Sequence, residues 1–316
     1  MDALSDQAMY LFTFLACFYI IVCAALLLMG KFIMDSKHGR KNIFNINYAV
    51  LLIALCLIAG MLSGCGVDTA RKTGEAEELT EIIVGSDNYP PFNYKDADDT
   101  PTGIDVDLAA EAFRRIGYKP VFVTIDWEKK KELLDSGVID CIWVCYSIDG
   151  REELYNWTEP YMYSTHVVAV RKDSDIYTLA DLAGKRIAVQ STTKPEEIFL
   201  SHSDPRIPEI NELFSLHNRE LIYPYLSKGY VDTIAAHEIS ILQCMTDYNL
   251  DYRILDETLQ TVGLGVAFSK NDDRGLNVKL SKVFEEMRND GTMEAIAGKY
   301  LAEPKKYIEG NGYAEK

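Results

Sequence analysis

The stretch EIIVGS at residues 81–86 is followed by DVDLAAEAFRRIG at 105–117 and by PVFVTI at 120–125. The first and third stretches are rich in β-branched residues, which favour strands. In the middle stretch, Leu108, Ala112 and Ile116 recur at four-residue intervals, which is the spacing of one helix face. A strand, a helix and a second strand in this order predict an α/β fold with a largely parallel sheet.

The same alternation continues through the rest of the chain. A helical pattern at 127–137 precedes the β-rich run VIDCIWVCYS at 138–147, and a second alternating set begins near Leu179. The β-rich run at 261–270 then leads into helical patterns that end near Leu301. This order predicts two α/β lobes, with the chain crossing from one to the other and back.

The composition is that of a globular protein with a strongly acidic balance of charge. The 316 residues include 32 Lys and Arg against 48 Asp and Glu, which gives a formal net charge of −16. The length suffices for about two domains, and the negative charge argues against binding to nucleic acid. Three cysteines follow Cys65, and no C-x-x-C or His-rich spacing occurs. The sequence therefore predicts no disulfide framework, no metal site and no cofactor.

The amino-terminal part contains two apolar runs. The first, at 9–30, has about the twenty residues that a helix needs to cross a bilayer. The second, at 48–64, follows the basic stretch at 37–41, which is the layout of a signal peptide, and it ends in LSGC at 62–65. This ending resembles the lipobox of bacterial lipoproteins, which implies cleavage before Cys65 and attachment of lipid to it. The alternative is a second transmembrane helix that ends in an ordinary cysteine.

Two interpretations of the first apolar run remain open. Translation from Met34 would give a complete lipoprotein signal peptide at 34–65, and 1–33 would then result from a start codon assigned too far upstream. Alternatively, 1–33 contains a real transmembrane segment, with the basic loop that follows it in the cytoplasm. Residues 66–78 are polar and lack periodicity, so they are predicted to form a flexible tether.

Eight short motifs between residues 79 and 303 resemble, in order and in spacing, the family 3 extracellular solute-binding proteins. They are YPPF at 89–92, GIDVDL at 103–108, SGVID at 136–140, SIDGRE at 147–152, EPY at 159–161, GKRIAVQ at 184–190, GYVD at 229–232 and DGT at 290–292. The resemblance implies a type II periplasmic-binding-protein fold with two lobes, a hinge and a central cleft. Lobe 1 is expected at 79–168 and, with the C-terminal helices, at 259–316; lobe 2 is expected at 169–258.

The resemblance also implies a function without catalysis. Members of this family capture an amino acid between the lobes and present the closed form to the permease of an ABC importer. We therefore expect a lipid-anchored receptor for a polar amino acid on the extracytoplasmic face of the bacterial cell membrane. One alternative is the ligand-sensing domain of a membrane signalling system. Another is a dehydratase, because a few relatives on this fold are dehydratases, although the chain shows no paired nucleophile and base and no nucleotide-binding loop.

The first lobe offers aromatic candidates for the ligand site. Tyr89 precedes two prolines, which hold the backbone extended, so its ring is presented from a loop. The resemblance implies that this ring stacks on the ligand. It also places ligand contacts at the end of the run 138–147, where Trp143 is equally compatible with a place in the core. The candidates there are Trp143, Cys145, Tyr146 and Ser147.

Arg151 is the candidate for binding a ligand carboxylate. Asp149 and Glu152 have the spacing of a helix cap and its capping-box partner, which would place Arg151 in the first helical turn, where the dipole disfavours a cation. A guanidinium can hold a carboxylate through two parallel hydrogen bonds, and the resemblance assigns this role to Arg151. The spacing between Ser147 and Arg151 is four residues, one fewer than in many relatives. A surface salt bridge is the alternative.

The second lobe offers two further pairs of candidates. Thr193 and Glu196 have capping-box spacing, and a helix amino terminus attracts an anion. By resemblance, Thr192 and Thr193 bind the ligand carboxylate from the other side.

The ammonium of the ligand is expected near residue 237. Many relatives carry an Asp five residues after the position of Asp232, whereas this chain has His237 there, followed by Glu238. Neighbouring residues of a strand point to opposite faces, so only one of the two can enter the cleft. We expect Glu238, because a carboxylate offers full charge and two acceptor atoms, with His237 as the alternative.

Overall fold

The computed structural model describes residues 79–310, through which strands and helices alternate. The predicted segments 1–33, 34–65 and 66–78, including Cys65, lie outside the described residues, so their interpretation stays a prediction. The described residues all fall within one unit, Ala76–Lys316. Within 79–310, no helix is both long enough and apolar enough to cross a membrane.

The strands and helices of the described residues have the following bounds. The strands are β1 Thr80–Ser86, β2 Tyr94–Lys95, β3 Pro101–Thr102, β4 Tyr118–Thr124, β5 Cys141–Ile142, β6 Asn156–Trp157, β7 Met162–Arg171, β8 Arg186–Gln190, β9 Glu212–Leu216, β10 Thr233–His237, β11 Tyr252–Leu264 and β12 Ala267–Phe268. The α-helices are α1 Ile104–Arg115, α2 Lys130–Asp135, α3 Lys194–Ser201, α4 Ile222–Ser227, α5 Glu238–Asp247, α6 Leu276–Asn289, α7 Thr292–Ala297 and α8 Pro304–Ile308. Short 3-10 helices lie at Trp127–Lys129, Glu152–Leu154, Leu179–Leu182 and Arg219–Leu221.

The first sheet has the strand order β4-β1-β5-β12-β6. Strand β1 lies between β4 and β5 and is parallel to both, whereas β12 is antiparallel to β5 and β6. Helix α1 packs its predicted face into the same core as β1, because Leu108, Ala112 and Phe113 are completely buried. The strand, helix and strand predicted from residues 81–125 are thereby confirmed.

The second sheet has the strand order β11-β7-β10-β8-β9 and a core on each face. Strand β8 is parallel to β9 and β10, and β7 is antiparallel to β10 and β11. Successive strand residues point to opposite faces. Accordingly, Val168 and Val189 pack into one core, whereas Val167 and Ala188 pack into the other.

Strands β7 and β11 carry the chain between the sheets. The chain leaves the first sheet after β6, enters the second with β7, and returns from β11 to β12. The two strands pair antiparallel, with Met162 opposite Leu264 at one end and Arg171 opposite Tyr252 at the other. The predicted lobe boundaries after residues 168 and 258 fall inside these strands, and the change of sheet lies instead at 158–161 and 265–266. Two neighbouring strands therefore join the lobes.

Candidate functional site

A cavity lies between the two sheets, at the carboxyl ends of their parallel strands, where ligands of open α/β sheets bind. The centre of a water-sized sphere can reach about 40 Å³ of it. Its walls come mainly from the loops that follow β1, β4 and β5 in the first sheet and β8 and β9 in the second, together with β10. The lining residues are Tyr89, Trp127, Cys145, Tyr146, Ser147, Arg151, His166, Gln190, Thr192, Thr193, Lys194, Pro195, Arg219, Ile222, Ala235, Ala236 and His237.

Arg151 lies directly before the 3-10 helix Glu152–Leu154, with a side chain that is 11% exposed. Its contacts within the protein are long. Nη1 donates to the Ser147 carbonyl at 3.3 Å, and Nη2 lies 4.0 Å from a carboxylate oxygen of Glu197. The guanidinium carbon lies 5.4 Å from the centre of the Tyr146 ring. Arg151 therefore retains hydrogen-bonding capacity for an anion in the cavity.

The backbone before Arg151 differs from the predicted helix cap. The Asp149 carboxylate accepts a hydrogen bond from the backbone N–H of Gly263 at 2.9 Å, and thus binds strand β11. Glu152 accepts from the backbone N–H of Gly150 at 3.0 Å. A helix follows, as predicted, but it is one 3-10 turn at Glu152–Leu154; the predicted cap at Asp149 is wrong, because Asp149 binds β11 and Arg151 precedes the turn.

Thr192 and Thr193 lie immediately before α3. Thr193 is the N-cap residue, but its hydroxyl donates to the Gln190 carbonyl at 2.6 Å and does not cap the helix. Glu196 accepts instead from the backbone N–H of Thr192 at 2.6 Å, so the predicted capping box is wrong. Thr192 has a φ of 56°, a strained value for a β-branched residue of the kind that clusters at functional sites. The amino terminus of α3, which is the positive end of the helix dipole, lies at the cavity.

Tyr89 is buried, and a cation of the protein covers its ring. The guanidinium carbon of Arg219 lies 3.1 Å from the ring centre, and its Nη2 donates to Asp87 at 3.4 Å. Burial raises the pKa of Tyr89 to about 12, and the charge of Arg219 opposes that rise. One face of the predicted stacking ring is therefore occupied by Arg219.

Two histidines lie side by side on neighbouring strands of the second sheet. The ring centres of His166 on β7 and His237 on β10 are 4.0 Å apart, and Nδ1 of His237 lies 2.9 Å from the Ser164 hydroxyl. Burial lowers the pKa of His166 to about 3 and the pKa of His237 well below its ordinary value; the charges of Arg151 and Arg219 act in the same direction. Both rings are therefore neutral at pH 7.

Hydrogen bonds join the two lobes around the cavity. Residues 190–192, at the carboxyl end of β8, bond to Asp87 at 2.7 Å, to Glu128 at 2.6 Å and to the ammonium of Lys130 at 2.8 Å. The three partners belong to the first lobe. The structure therefore shows the lobes in contact across the cavity, as in a closed cleft.

Eight of the ten predicted ligand residues line this cavity: Tyr89, Cys145, Tyr146, Ser147, Arg151, Thr192, Thr193 and His237. Trp143 lies elsewhere. Its side chain is completely buried, and its ring packs against those of Phe113, Tyr161 and Phe284, with centres 5.5 to 5.7 Å apart. The structure thus favours the core interpretation of Trp143.

Glu238 also lies outside the cavity lining. It is the first residue of α5, and its carboxylate accepts hydrogen bonds from Lys306 at 3.0 Å and from Tyr307 at 3.3 Å. His237, by contrast, lines the cavity. This placement reverses our preference for Glu238 over His237.

Among known protein families, one matches most of the described residues. Residues 82–303 match the family model of the bacterial extracellular solute-binding proteins, family 3. This match spans well over half of the chain. The chain belongs to this family.

Individual family 3 relatives are similar along most of their length. The histidine-binding periplasmic protein of Salmonella typhimurium is 33% identical over 231 residues, which cover 70% of this chain and 87% of that protein. The L-cystine-binding protein TcyJ of Escherichia coli is 25% identical over 253 residues, which cover 79% and 93% of the two chains. A solved ABC uptake transporter substrate-binding protein from Streptococcus pneumoniae with bound histidine has a TM-score of 0.66 and 25% identity, covering 71% and 93%. The fold is the type II periplasmic-binding-protein fold, as predicted.

The cavity of this family 3 protein also contains aromatic and polar residues that the sequence did not indicate to us. They are Trp127, His166, Gln190, Lys194 and Arg219. A usable signal existed for two of them, because Trp127 and Gln190 lie at the carboxyl ends of predicted parallel strands. Lys194 and Arg219 lie in polar segments that resemble solvated surface, so neither had a local signal.

Proposed function

We propose that this member of family 3 is an extracytoplasmic receptor that encloses one polar amino acid between its lobes and delivers it to the permease of an ABC importer. The observation that carries the proposal is that Arg151 and the amino-terminal turn of α3 meet at one small cavity. A guanidinium and a helix amino terminus are both complementary to a carboxylate. Relatives named for binding histidine and cystine support an amino acid as the ligand.

The walls of the cavity fit a small ligand. Tyr89, Trp127 and Tyr146 supply aromatic surface, and Arg151 supplies charge. Because two strands join the lobes, rotation about β7 and β11 would open the cleft and admit the ligand.

The amino-acid proposal is tested by thermal denaturation with each of the twenty amino acids. A ligand at one hundred times its dissociation constant stabilises the folded state by about 2.7 kcal/mol, which raises the melting temperature measurably. We expect one chemically related group of amino acids to do so. If none of them raises the melting temperature, the proposal is wrong.

Delivery to a permease is tested by uptake in cells. Deletion of the gene should abolish uptake of the radiolabelled ligand at low concentration, and the wild-type chain should restore it. The Arg151→Gln variant, expressed at the same level, should restore much less. Normal uptake in the deletion strain would contradict the transport role.

We further propose that the mature protein is attached to the membrane through lipid on Cys65, the last residue of LSGC. Cells grown with a fatty-acid analogue should label the wild type and leave Cys65→Ala unlabelled. Cys56→Ala is the matched control, because Cys56 lies within the same apolar run and should not affect labelling. Equal labelling of wild type and Cys65→Ala would exclude the anchor.

A further inference from the structure

The charges around the cavity are strongly unequal. Arg151, Lys194 and Arg219 line it, whereas no Asp or Glu of residues 79–310 does. Two nearby carboxylates neutralise part of this charge, since Glu197 lies 2.8 Å from Lys194 and Asp87 lies 3.4 Å from Arg219. An excess of positive charge therefore faces the ligand.

A fourth cation lies behind the lining. The ammonium of Lys130 is buried and donates to the Trp127 carbonyl at 3.0 Å and to the Thr192 hydroxyl at 2.8 Å. Within the described part of the chain, no carboxylate lies within ion-pair distance of it. Burial and the charge of Arg151 lower the pKa of Lys130 to about 8, so it is still largely protonated at pH 7.

The acidic groups near the cleft are engaged elsewhere. Glu128 accepts from Ser191, and with Asp126 it lies beside the exposed ring of His217. Glu196 accepts from the backbone N–H of Thr192. None of these side chains belongs to the cavity lining, so none of them presents a carboxylate directly to the ligand, although Glu128 and Glu196 offset part of the charge of Lys130.

Arg219 places a positive charge at the cavity beside Tyr89. Its guanidinium occupies the face of the Tyr89 ring, the surface on which a cationic ligand side chain would stack. Its Nε is buried and has no hydrogen-bond partner among the described residues. An unpartnered buried donor is costly unless the ligand supplies an acceptor. A basic ligand would lose this aromatic face and meet a like charge, whereas an anionic group would be attracted to the guanidinium.

Other groups of the cavity also favour a negatively charged ligand. Two helices, α3 and α5, begin at lining residues, and their amino termini favour anions. The indole Nε1 of Trp127 is a second buried donor without a partner in the described residues. For the ligand ammonium, the cavity offers Oε1 of Gln190, a buried and unpartnered neutral acceptor whose orientation is set by the bond from Nε2 to Asp87.

We propose that the ligand is an acidic amino acid, with one carboxylate at Arg151 and the second anionic group at Arg219, which makes Arg219 the residue that selects ligand charge. This inference rests on the proposed function and adds the substrate class to it. It differs from what the names of the histidine-binding and arginine-binding relatives say of those proteins.

The inference is tested by calorimetry with L-aspartate, L-glutamate, L-asparagine, L-glutamine, L-arginine, L-histidine and succinate. We expect at least one acidic amino acid to bind ten times more tightly than its amide, and the two basic amino acids to show no measurable binding. Tighter binding of an amide or a basic amino acid would overturn the inference and leave the amino-acid receptor intact. Tighter binding of succinate than of any amino acid would overturn the amino-acid ligand and leave anion selection intact. Binding of none would overturn both.

The role of Arg219 is tested with a matched pair of variants. In Arg219→Gln, the preference for the acid over its amide should fall to less than threefold. Arg253→Gln is the control, because Arg253 also stacks on a tyrosine, 4.1 Å from the centre of the Tyr177 ring, and lies outside the cavity lining. It should keep the wild-type preference. Circular dichroism checks that Arg219→Gln is folded. If the folded variant keeps the wild-type preference, the assignment is overturned. If Arg219→Gln does not fold, Arg219→Lys is used instead; it should retain the preference for the acid, and loss of that preference would overturn the inference.

Discussion

Replacing Arg151 with Gln should weaken ligand binding and leave the fold intact. Gln keeps a polar side chain but removes the charge and the planar fork of donors. The two polar contacts of Arg151 within the protein are long, at 3.3 Å to the Ser147 carbonyl and 4.0 Å to the Glu197 carboxylate. Loss of such contacts has little effect on stability. The main loss should therefore fall on the ligand carboxylate.

The size of this loss follows from the burial of the two charges. Removing one partner of a buried, hydrogen-bonded charge pair costs about 2 to 5 kcal/mol. The Arg151 side chain is 11% exposed, but the nearby Glu197 side chain is 50% exposed, so water and Glu197 both weaken the field at the guanidinium. We therefore expect the low end, about 2 to 3 kcal/mol, which is roughly a 30- to 150-fold increase in Kd.

Isothermal titration at pH 7 measures this increase directly. Arg206→Gln is the matched control, because Arg206 pairs with Asp204 at 2.5 Å and does not line the cavity. Its Kd should equal that of the wild type. If Arg151→Gln binds within threefold of Arg206→Gln, Arg151 does not hold the ligand, and the carboxylate site must be sought elsewhere.

Three further predictions follow from the same geometry. His237→Gln should weaken ligand binding in calorimetry, whereas Glu238→Gln should not, because Glu238 binds Lys306 outside the cavity; the reverse order would restore our sequence-based choice. Trp143→Ala should lower the free energy of unfolding by about 3 to 5 kcal/mol with little change in Kd, whereas Trp127→Ala should raise Kd, because Trp127 lines the cavity. Burial raises the pKa of Asp105 to about 7 from 3.8, so the folded state keeps a proton that the unfolded state loses between these values. Asp105 therefore contributes a fall in stability of up to about 1.4 kcal/mol per pH unit through this window, which His166 and His237 oppose because burial lowers their pKa values. The stability of Asp105→Asn relative to the wild type should therefore rise with pH in urea titrations; parallel curves of the two proteins would contradict the buried proton.

The α/β fold could be predicted because its signals are local. The four-residue spacing of Leu108, Ala112 and Ile116 identifies a helix face without reference to any other part of the chain. The β-rich runs around it are likewise identified as strands from their own composition. Their parallel pairing then follows, because alternating strands and helices form a parallel sheet. The predicted lobe boundaries at 168 and 258 differ from the observed changes of sheet at 158–161 and 265–266. The predicted boundaries fall inside β7 and β11, and the sequence pattern does not mark which sheet a strand joins.

The cavity lining could be predicted only where the family resemblance marked it. Tyr89 and Arg151 belong to motifs that the resemblance identified, and both line the cavity. Arg219 lies 130 residues from Tyr89 in sequence, and the 3.1 Å contact between them exists only once the lobes meet. Neither composition nor periodicity carries information about such a contact. The residue that we propose selects the ligand charge was therefore invisible at the level of sequence.

Our sequence-based choice of Glu238 over His237 applied strand alternation beyond the end of the strand. Alternation places neighbouring residues on opposite faces only while the strand continues, and β10 ends at His237. At Glu238 the backbone turns into α5, which directs the carboxylate towards Lys306 and Tyr307 of α8. A carboxylate in the first turn of a helix is favoured by the dipole whatever the ligand is. The acidic residue at this position is thus explained by helix stability, and the cavity is left with a neutral imidazole, which is consistent with a site that concentrates its charge on the anionic groups of the ligand.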